Sequence, residues 1–530
     1  MRALLAVGAA LSLIATGLVT AAPSAEAVPT ERIAGSNRFA TSVEISRSLG
    51  ETTGGVVYLA NGLKFPDALS AGPVVAAEGG DLLLTAPNEL PAIVAERIRE
   101  LAPAEVVAVG STASIADAVL DAAVAAAATA SPQVERTRIG GANRVETSLE
   151  LLERLRESGP VDAAWIVSGA TFPDALVAAS VAGRYREAVI LDHHAPTRAG
   201  SDAWLARVGP EVRGLGLHVA GGEPSVSEAD RLGLERAGAA WTFRYAGGNR
   251  YETARLINES IEEAPTSTRM LLATGQNFPD ALAGAVLSSA TGVPMYLSPN
   301  ACHPAIGSML RGEASRLGVR TVTGLGSAAT LSDSVLQLAR CTTPLREQIG
   351  QVYGRFPMQR HTGTGDATID LGRDVRYGQV IVRFEGSGFQ VVDALDAGGQ
   401  HLDSLVGGLG STGGTALIAP YGDSASVRRL RVTATGPWAL ELRDLTSAPI
   451  LTTTASGQGP AVYLYDGPAR TIRVDAEASG RFVGPRELHG HWQESSPLAP
   501  FPTFPATGQI HEGPVVLGVS ARGSWSLQLR

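Results

Sequence analysis

Three stretches of this chain open alike: RIAGSNRFAT from Arg32, RIGGANRVET from Arg138 and RYAGGNRYET from Arg244, separated by 106 residues at each step. A second element, FPDAL, keeps nearly the same step, at 65–69, 172–176 and 278–282. A period this long belongs to whole domains in tandem, since solenoid units repeat every few dozen residues. The chain must therefore build three related modules, whatever else it carries.

Inside each repeat, short β-branched runs alternate with helical patterns. In the first copy the runs are VVYLA (56–60), LLLT (82–85) and VVAVG (106–110), with helical segments near 37–49, 67–79, 91–101 and 114–128. The second copy supplies AAWIV, AVILD and LHVAG; the third supplies RMLLA, PMYLS and TVTGL. Strands spaced by helices predict βαβ crossovers and a parallel sheet. The expected fold is α/β, three tandem modules each with a parallel, doubly wound sheet, at 28–136, 137–242 and 243–343.

After about residue 344 helical periodicity gives way to alternating strands with glycine turns. A smaller motif recurs at 380–392 (VIVRFEGSGFQVV), 430–442 (LRVTATGPWALEL), 472–483 (IRVDAEASGRFV) and 517–529 (LGVSARGSWSLQL). Each copy is read as a β-hairpin with an aromatic anchor: Phe389, Trp438, Phe482 and Trp525. Residues 344–530 are thus expected to form an all-β, sandwich-like domain, a duplicated sandwich with halves of roughly 90 residues, and 496–505 (SPLAPFPTFP) is placed in a surface loop.

The start reads as a secretion signal over residues 1–27. Met1 and Arg2 give a positive end, 3–20 are apolar, and Ala25-Glu26-Ala27 offers an A-x-A cleavage site. No later stretch is long and apolar enough to span a bilayer, so no membrane span is expected once the signal is removed. The two cysteines, Cys302 and Cys341, fit an exported protein with at most one disulfide, and the spacing leaves open whether they bond. Net formal charge is −6 over 31–131, −3 over 132–241, +1 over 242–343 and −1 over 344–530. No segment is strongly basic, which argues against nucleic acid as a partner.

The pattern R-x-[AG]-G-x-N-R-x-x-T followed by F-P-D-A-L resembles the cell wall-binding repeat 2 family, found as threefold arrays in surface-layer and cell-wall proteins of Gram-positive bacteria. The resemblance covers about 32–341. It implies Rossmann-like α/β modules in a pseudo-threefold arrangement and non-covalent anchoring to an anionic wall polymer, teichoic acid-like or an anionic polysaccharide. It also implies that a leucine-rich strand contributes to polymer binding, which points to Leu83 and Leu84. The matching runs AVILD and PMYLS are weaker, and Ser168-Gly169 replaces Asn61-Gly62 in the second copy.

Residue by residue, Asn37, Asn143 and Asn249 each precede a helical run and suit an N-cap. Arg38, Arg144 and Arg250 carry a planar fork suited either to a carboxylate or to a polymer phosphate. Each either braces the FPDAL aspartate of its own repeat (Asp67, Asp174 or Asp280) or faces outward as a ligand contact. The aspartates are read as helix caps and braces; a catalytic role lacks a repeated His, Ser or second carboxylate. Gly62, Gly169 and Gly275, with Gly110, Gly221 and Gly326, lie at strand ends where doubly wound sheets bind ligands, or else serve as tight turns. Gly324-x-Gly326 imitates a dinucleotide fingerprint, but the first copy has Ala108 in place of its first glycine and no acidic residue follows at the right distance, so no cofactor is expected. His489 and His491, near Glu487, form an HxH pair that is weak as a metal motif. The sequence thus points to an exported wall-attached protein displaying a β-domain. A wall-glycan- or peptidoglycan-modifying enzyme with its centre in the β-domain, and an extracellular adhesin or glycan-binding protein, stand as alternatives.

Overall fold

The structure, a computed structural model, describes residues 28–50, 53–192, 197–260, 267–409, 413–420, 425–476, 485–489, 492–494, 505–521 and 523–530. The signal-like segment, Phe482, most of SPLAPFPTFP and His491 lie outside the described residues, as does the side chain of His489.

Each repeat builds a four-stranded, all-parallel sheet. The first has the order Asp81–Thr85, Val56–Asn61, Glu105–Val109, Glu135–Ile139. The second runs Ala188–Asp192, Ala163–Ser168, Gly216–Ala220, Trp241–Tyr245. The third runs Met295–Ser298, Arg269–Thr274, Thr321–Leu325 and Thr30–Ile33. The fourth strand of every sheet is therefore the opening of the next repeat. The circle closes because the first opening, Thr30–Ile33, pairs with the third repeat in the register Thr30↔Val322 to Ile33↔Leu325. The inner strands are buried along nearly their whole length, as expected of parallel strands covered on both faces.

The helices that begin with FPDAL, Pro66–Ala77, Pro173–Tyr185 and Pro279–Thr291, pack against one another around the pseudo-threefold axis. Small side chains allow the close approach. A Cβ added at Gly183 would collide with Ser289 and crowd Ala76, one residue from each of the other two helices. The Ser289 hydroxyl also lies 3.2 Å from the Ala179 carbonyl and 3.0 Å from that of Ser180. One hydrophobic core runs from Ile45 in the first repeat to Leu325 in the third.

Beyond the repeats, the region expected to be all-β opens instead with a helix, Leu345–Tyr353, and then builds two sandwiches. The first pairs the sheet Gln359–Thr364, Pro437–Arg443, Gly378–Phe384, Gly413–Ile418 with the sheet Ala367–Val375, Val427–Thr433, Phe389–Leu395, His401–Leu409. The second repeats the same strand order, with Thr454–Gln458, Ser524–Leu529, Arg470–Ala476, Ala506–Ile510 facing Ala461–Tyr465, Val515–Val519, Pro485–His489, Trp492–Glu494. The equivalence extends to side chains. Trp438 lies on Gly363 and donates its indole N–H to the Gly365 carbonyl at 2.9 Å, and Trp525 lies on Gly457 and donates to Gly459 at 2.7 Å.

The hairpin reading of the tail motif is corrected here. Gly378–Phe384 and Phe389–Leu395 flank a glycine turn but belong to different sheets, and so do Val427–Thr433 and Pro437–Arg443, and Val515–Val519 and Ser524–Leu529; the second strand expected in the third copy lies outside the described residues. Alternation identifies a strand and its buried face, but it carries no information on which strand becomes the hydrogen-bonded neighbour. Trp438 and Trp525 are core residues, whereas Phe389 is half exposed and Phe384 fills the interior instead.

The second sandwich also touches the third repeat. Arg311 and Arg340 meet Glu512 at 2.7 and 2.9 Å, and the helix Leu345–Tyr353 buries Ile349 and Tyr353 among Leu417, Leu464, Leu488 and Val516. Cys302 and Cys341 form a disulfide, with Cα atoms 5.7 Å apart.

Candidate functional site

The recurring residues converge on one end of the axis, at the carboxyl ends of Val56–Asn61, Ala163–Ser168 and Arg269–Thr274. At the centre, Phe65, Phe172 and Phe278 meet with ring centroids 5.6, 5.6 and 5.8 Å apart in tilted, edge-on geometry. Each phenylalanine precedes the proline that starts an axial helix. That proline has no N–H to satisfy and is pre-set for the first helical turn.

Around the rings sit Arg38, Arg144 and Arg250. Each opens a helix whose preceding asparagine accepts two backbone N–H groups: Asn37 from Phe39 and Ala40, Asn143 from Val145 and Glu146, Asn249 from Tyr251 and Glu252. These bonds satisfy orphan donors of the first turn and fix where each arginine leaves the backbone. Arg38 donates to the Gly62 carbonyl at 2.7 Å, Arg144 to Gly169, and Arg250 to Gly275 at 2.5 Å. Arg38 also lies 5.9 Å from the Phe278 ring centroid, and Arg250 5.9 Å from that of Phe172. Arg38 is half-buried, while Arg144 and Arg250 are exposed. A guanidinium has five donors, so a single glycine carbonyl orients each fork without exhausting it. Lys64 is exposed beside Phe65 and adds a fourth cation.

The arginines do not close on the aspartates of their own repeats. The field of Arg144 acts on Asp67, that of Arg250 on Asp174 and that of Arg38 on Asp280, so the guanidinium that acts on each carboxylate comes from the following repeat around the ring. Nor does the aspartate cap its helix. The capping position is the phenylalanine, which makes no side-chain cap, and the carboxylate turns into the seam between repeats. There Asp174 accepts from the Ser225 hydroxyl at 3.1 Å and Asp280 faces the Thr330 hydroxyl at 3.5 Å, while Ser114 fills that position for Asp67. The second hydroxyl belongs to the next repeat: Thr147 for Asp67, Thr253 for Asp174 and Thr41 for Asp280. Burial pushes all three carboxyls above the ordinary aspartate value, and the hydroxyls and the nearby arginine offset only part of that rise.

Gly110, Gly221 and Gly326 have φ of +98°, +94° and +96°, and a Cβ at any of them would strike the carboxylate of Asp67, Asp174 or Asp280. These glycines serve the seam. Leu83 and Leu84 are fully buried on opposite faces of Asp81–Thr85 and belong to two different cores. They reach no surface, so the leucine-rich strand is corrected from ligand contact to core.

Three recurring groups escaped the sequence reading although the repeat itself signals them. Thr41, Thr147 and Thr253, the last letter of N-R-x-x-T, accept from Gly35, Gly141 and Gly247 at 3.1, 3.2 and 3.1 Å and thereby brace the turn ahead of the asparagine. Arg32, Arg138 and Arg244, the first letter of the opening, donate to the carbonyls of Gly326, Gly110 and Gly221 at 2.7, 2.9 and 2.8 Å, clamping each repeat onto its predecessor. The phenylalanines of FPDAL are the third group. In the β-region, Glu487 is buried and lies 2.8 Å from His511 Nδ1. Among the described residues no three His, Cys, Asp or Glu side chains gather around a common metal position, and no helix is long and apolar enough to cross a membrane.

Comparison with known proteins accords with this geometry. The family described as cell wall binding domain 2 (CWB2) matches residues 32–120, 138–229 and 244–336. The chain is 26% identical over 280 residues to the N-acetylmuramoyl-L-alanine amidase LytC of Bacillus subtilis, covering 53% of this chain and 52% of that protein. It is 28% identical over 164 residues to the amidase enhancer of the same organism, covering 30% of this chain and 20% of the enhancer. The chain thus spans about half the length of the amidase and a fifth of the enhancer. Among solved structures, Cwp6 from Clostridium difficile shares the fold with a TM-score of 0.50 at 24% identity, over 62% of this chain and 51% of that one. With three matched copies occupying more than half of its length, the chain belongs to the cell wall binding domain 2 family.

Proposed function

We propose that this chain is exported and holds to the wall non-covalently by gripping an anionic wall polymer at the arginine-ringed mouth of the axis, displaying its paired β-sandwiches beyond the wall layer. The observation that carries this reading is the ring itself. Arg38, Arg144 and Arg250 occupy equivalent places around the three phenylalanines, and each is oriented by a glycine carbonyl. Oriented guanidinium forks suit phosphate or carboxylate groups, and an open aromatic floor accepts the apolar parts of a chain lying across it. The mean charge of the repeats is negative, so attraction must come from this local array rather than from the overall field.

The test is co-sedimentation of the full mature chain with purified cell walls, before and after chemical removal of their anionic polymers. Binding should fall at least tenfold on stripped walls and on intact walls at high salt, where exposed charges are screened. Undiminished binding to stripped walls overturns the polymer assignment.

A further inference from the structure

The edge strand of the second sheet, Trp241–Tyr245, carries a feature that the other two repeats lack. Trp241 is 39% exposed and Phe243 59% exposed, two residues apart and therefore on the same face of the strand. Counting back from the shared opening arginine, these positions are Glu135 and Thr137 in the first sheet and Pro29 and Glu31 in the third. The module folds with polar residues or proline there, so its architecture does not demand the two rings.

The rings are held in place from beneath. Trp241 pairs with Gly216, and its six-membered ring lies where a Cβ at Gly216 would be, so only glycine lets the indole lie flat on the sheet. Phe243 pairs with His218, and His218 pairs with the buried Trp165. His218 stacks on Trp165 at 4.5 Å and 18°, meets Trp241 edge-on at 4.9 Å, and has its Nδ1 3.2 Å from the Tyr245 hydroxyl. Glu187 accepts from the Trp165 indole N–H at 2.6 Å and lies 3.6 Å from His218 Nε2. The outer rings, with centroids 5.3 Å apart and planes at 43°, form a shallow V resting on this fixed inner layer.

We propose that Trp241 and Phe243 form a saccharide platform, taking an uncharged stretch of glycan by stacking against the C–H face of its sugar rings. Aromatic faces are electron-rich and attract the weakly positive C–H groups of a pyranose. Size favours a sugar over a protein: whole Phe and Trp side chains bury about 150–250 Å² each, so these partly exposed rings offer on the order of 200 Å². A standard protein interface needs roughly 800 Å² per partner. This goes beyond the arginine-ringed site, which takes anionic groups, and neither site depends on the other.

The experiment titrates the full mature chain with uncharged oligosaccharides, namely tetramers of β-1,4-linked N-acetylglucosamine, of glucose and of mannose, by saturation-transfer NMR and tryptophan fluorescence. At least one tetramer should bind saturably, with affinity falling at least tenfold in Trp241→Ala and Phe243→Ala but retained within about threefold in Trp241→Phe. Phe243 is mostly exposed, so its variant stays informative if Trp241→Ala unfolds. Substitution of Arg38, Arg144 and Arg250 should leave this binding unchanged, while Trp241→Ala should leave retention on polymer-bearing walls unchanged. Absence of saturable binding, or binding indifferent to both aromatic substitutions, overturns the proposal. So does concentration-dependent self-association of the native chain that is lost in Phe243→Ala, which would make the rings a protein contact.

Discussion

Asp174 shows what a single residue does in this ring. Its carboxyl is buried between two repeats, accepts from the Ser225 hydroxyl and is stabilised as the anion by nearby Thr253 and Arg250, yet burial still raises its pKa. A raised folded pKa means that the associated stability is fully present below the unfolded value, near 3.8, and is lost as pH rises through the folded value. Asp174→Asn keeps an acceptor for both hydroxyls and removes the charge. Urea midpoints measured from pH 4 to 7 should therefore show the native chain losing stability relative to Asp174→Asn as pH rises; a constant difference would show that the carboxyl does not titrate in the seam. The neighbouring glycines test the same seam sterically. Gly326→Ala would place a methyl group against Asp280 at a φ of +96°. It should cost about 2 kcal/mol or more, read as a lower denaturant midpoint at unchanged slope.

At the level of elements, the opening strands decide whether three modules are beads or a ring. Thr30–Ile33 supplies the last strand of the third sheet, and Arg32 reinforces it with bonds to the Gly326 and Leu331 carbonyls and to Asp333. Deleting residues 28–33 should leave that sheet without its edge. The Val322 and Gly326 amides, which donate to Pro29 and Ile33, should then exchange at least a hundredfold faster, while strands of the second sheet remain protected. Unchanged exchange at both amides would mean that the ring does not depend on this strand. The sequence disclosed the repeats, their strand–helix order and the asparagine caps, because each recurs at a fixed step or follows from local chemistry. It did not disclose that Arg138 clamps the repeat before its own, or that the guanidinium acting on Asp67 is that of Arg144 rather than Arg38. A period states that an element recurs and leaves open which copy it touches. The same gap explains the tail, where the alternation in VIVRFEGSGFQVV identified two strands but not that the chain crosses between sheets at Gly386–Gly388.

For the whole molecule, the consequence of closure is that three cationic forks are held at fixed spacing around one aromatic floor. Independent modules on flexible linkers would each bind a polymer segment separately and pay the ordering cost each time. If the polymer is gripped as proposed, a rigid ring makes the second and third contacts intramolecular, and such linkage commonly multiplies affinity by about 10²–10⁴ without any stronger individual site. The prediction is a graded series. Replacing one of Arg38, Arg144 or Arg250 by Gln removes one contact and should weaken retention on intact walls by about tenfold, the scale of a charge-assisted hydrogen bond. Replacing two should remove most of the linkage, and replacing all three should reduce binding to the level seen on stripped walls. Because Arg38 and Arg250 also lie over Phe278 and Phe172, thermal melts of each variant must accompany the binding data. A binding loss that tracks melting temperature would mark the arginines as braces of the mouth. A loss that tracks the number of arginines at constant melting temperature would mark them as contacts. Equal binding by the single and triple variants would show that the polymer engages the ring elsewhere.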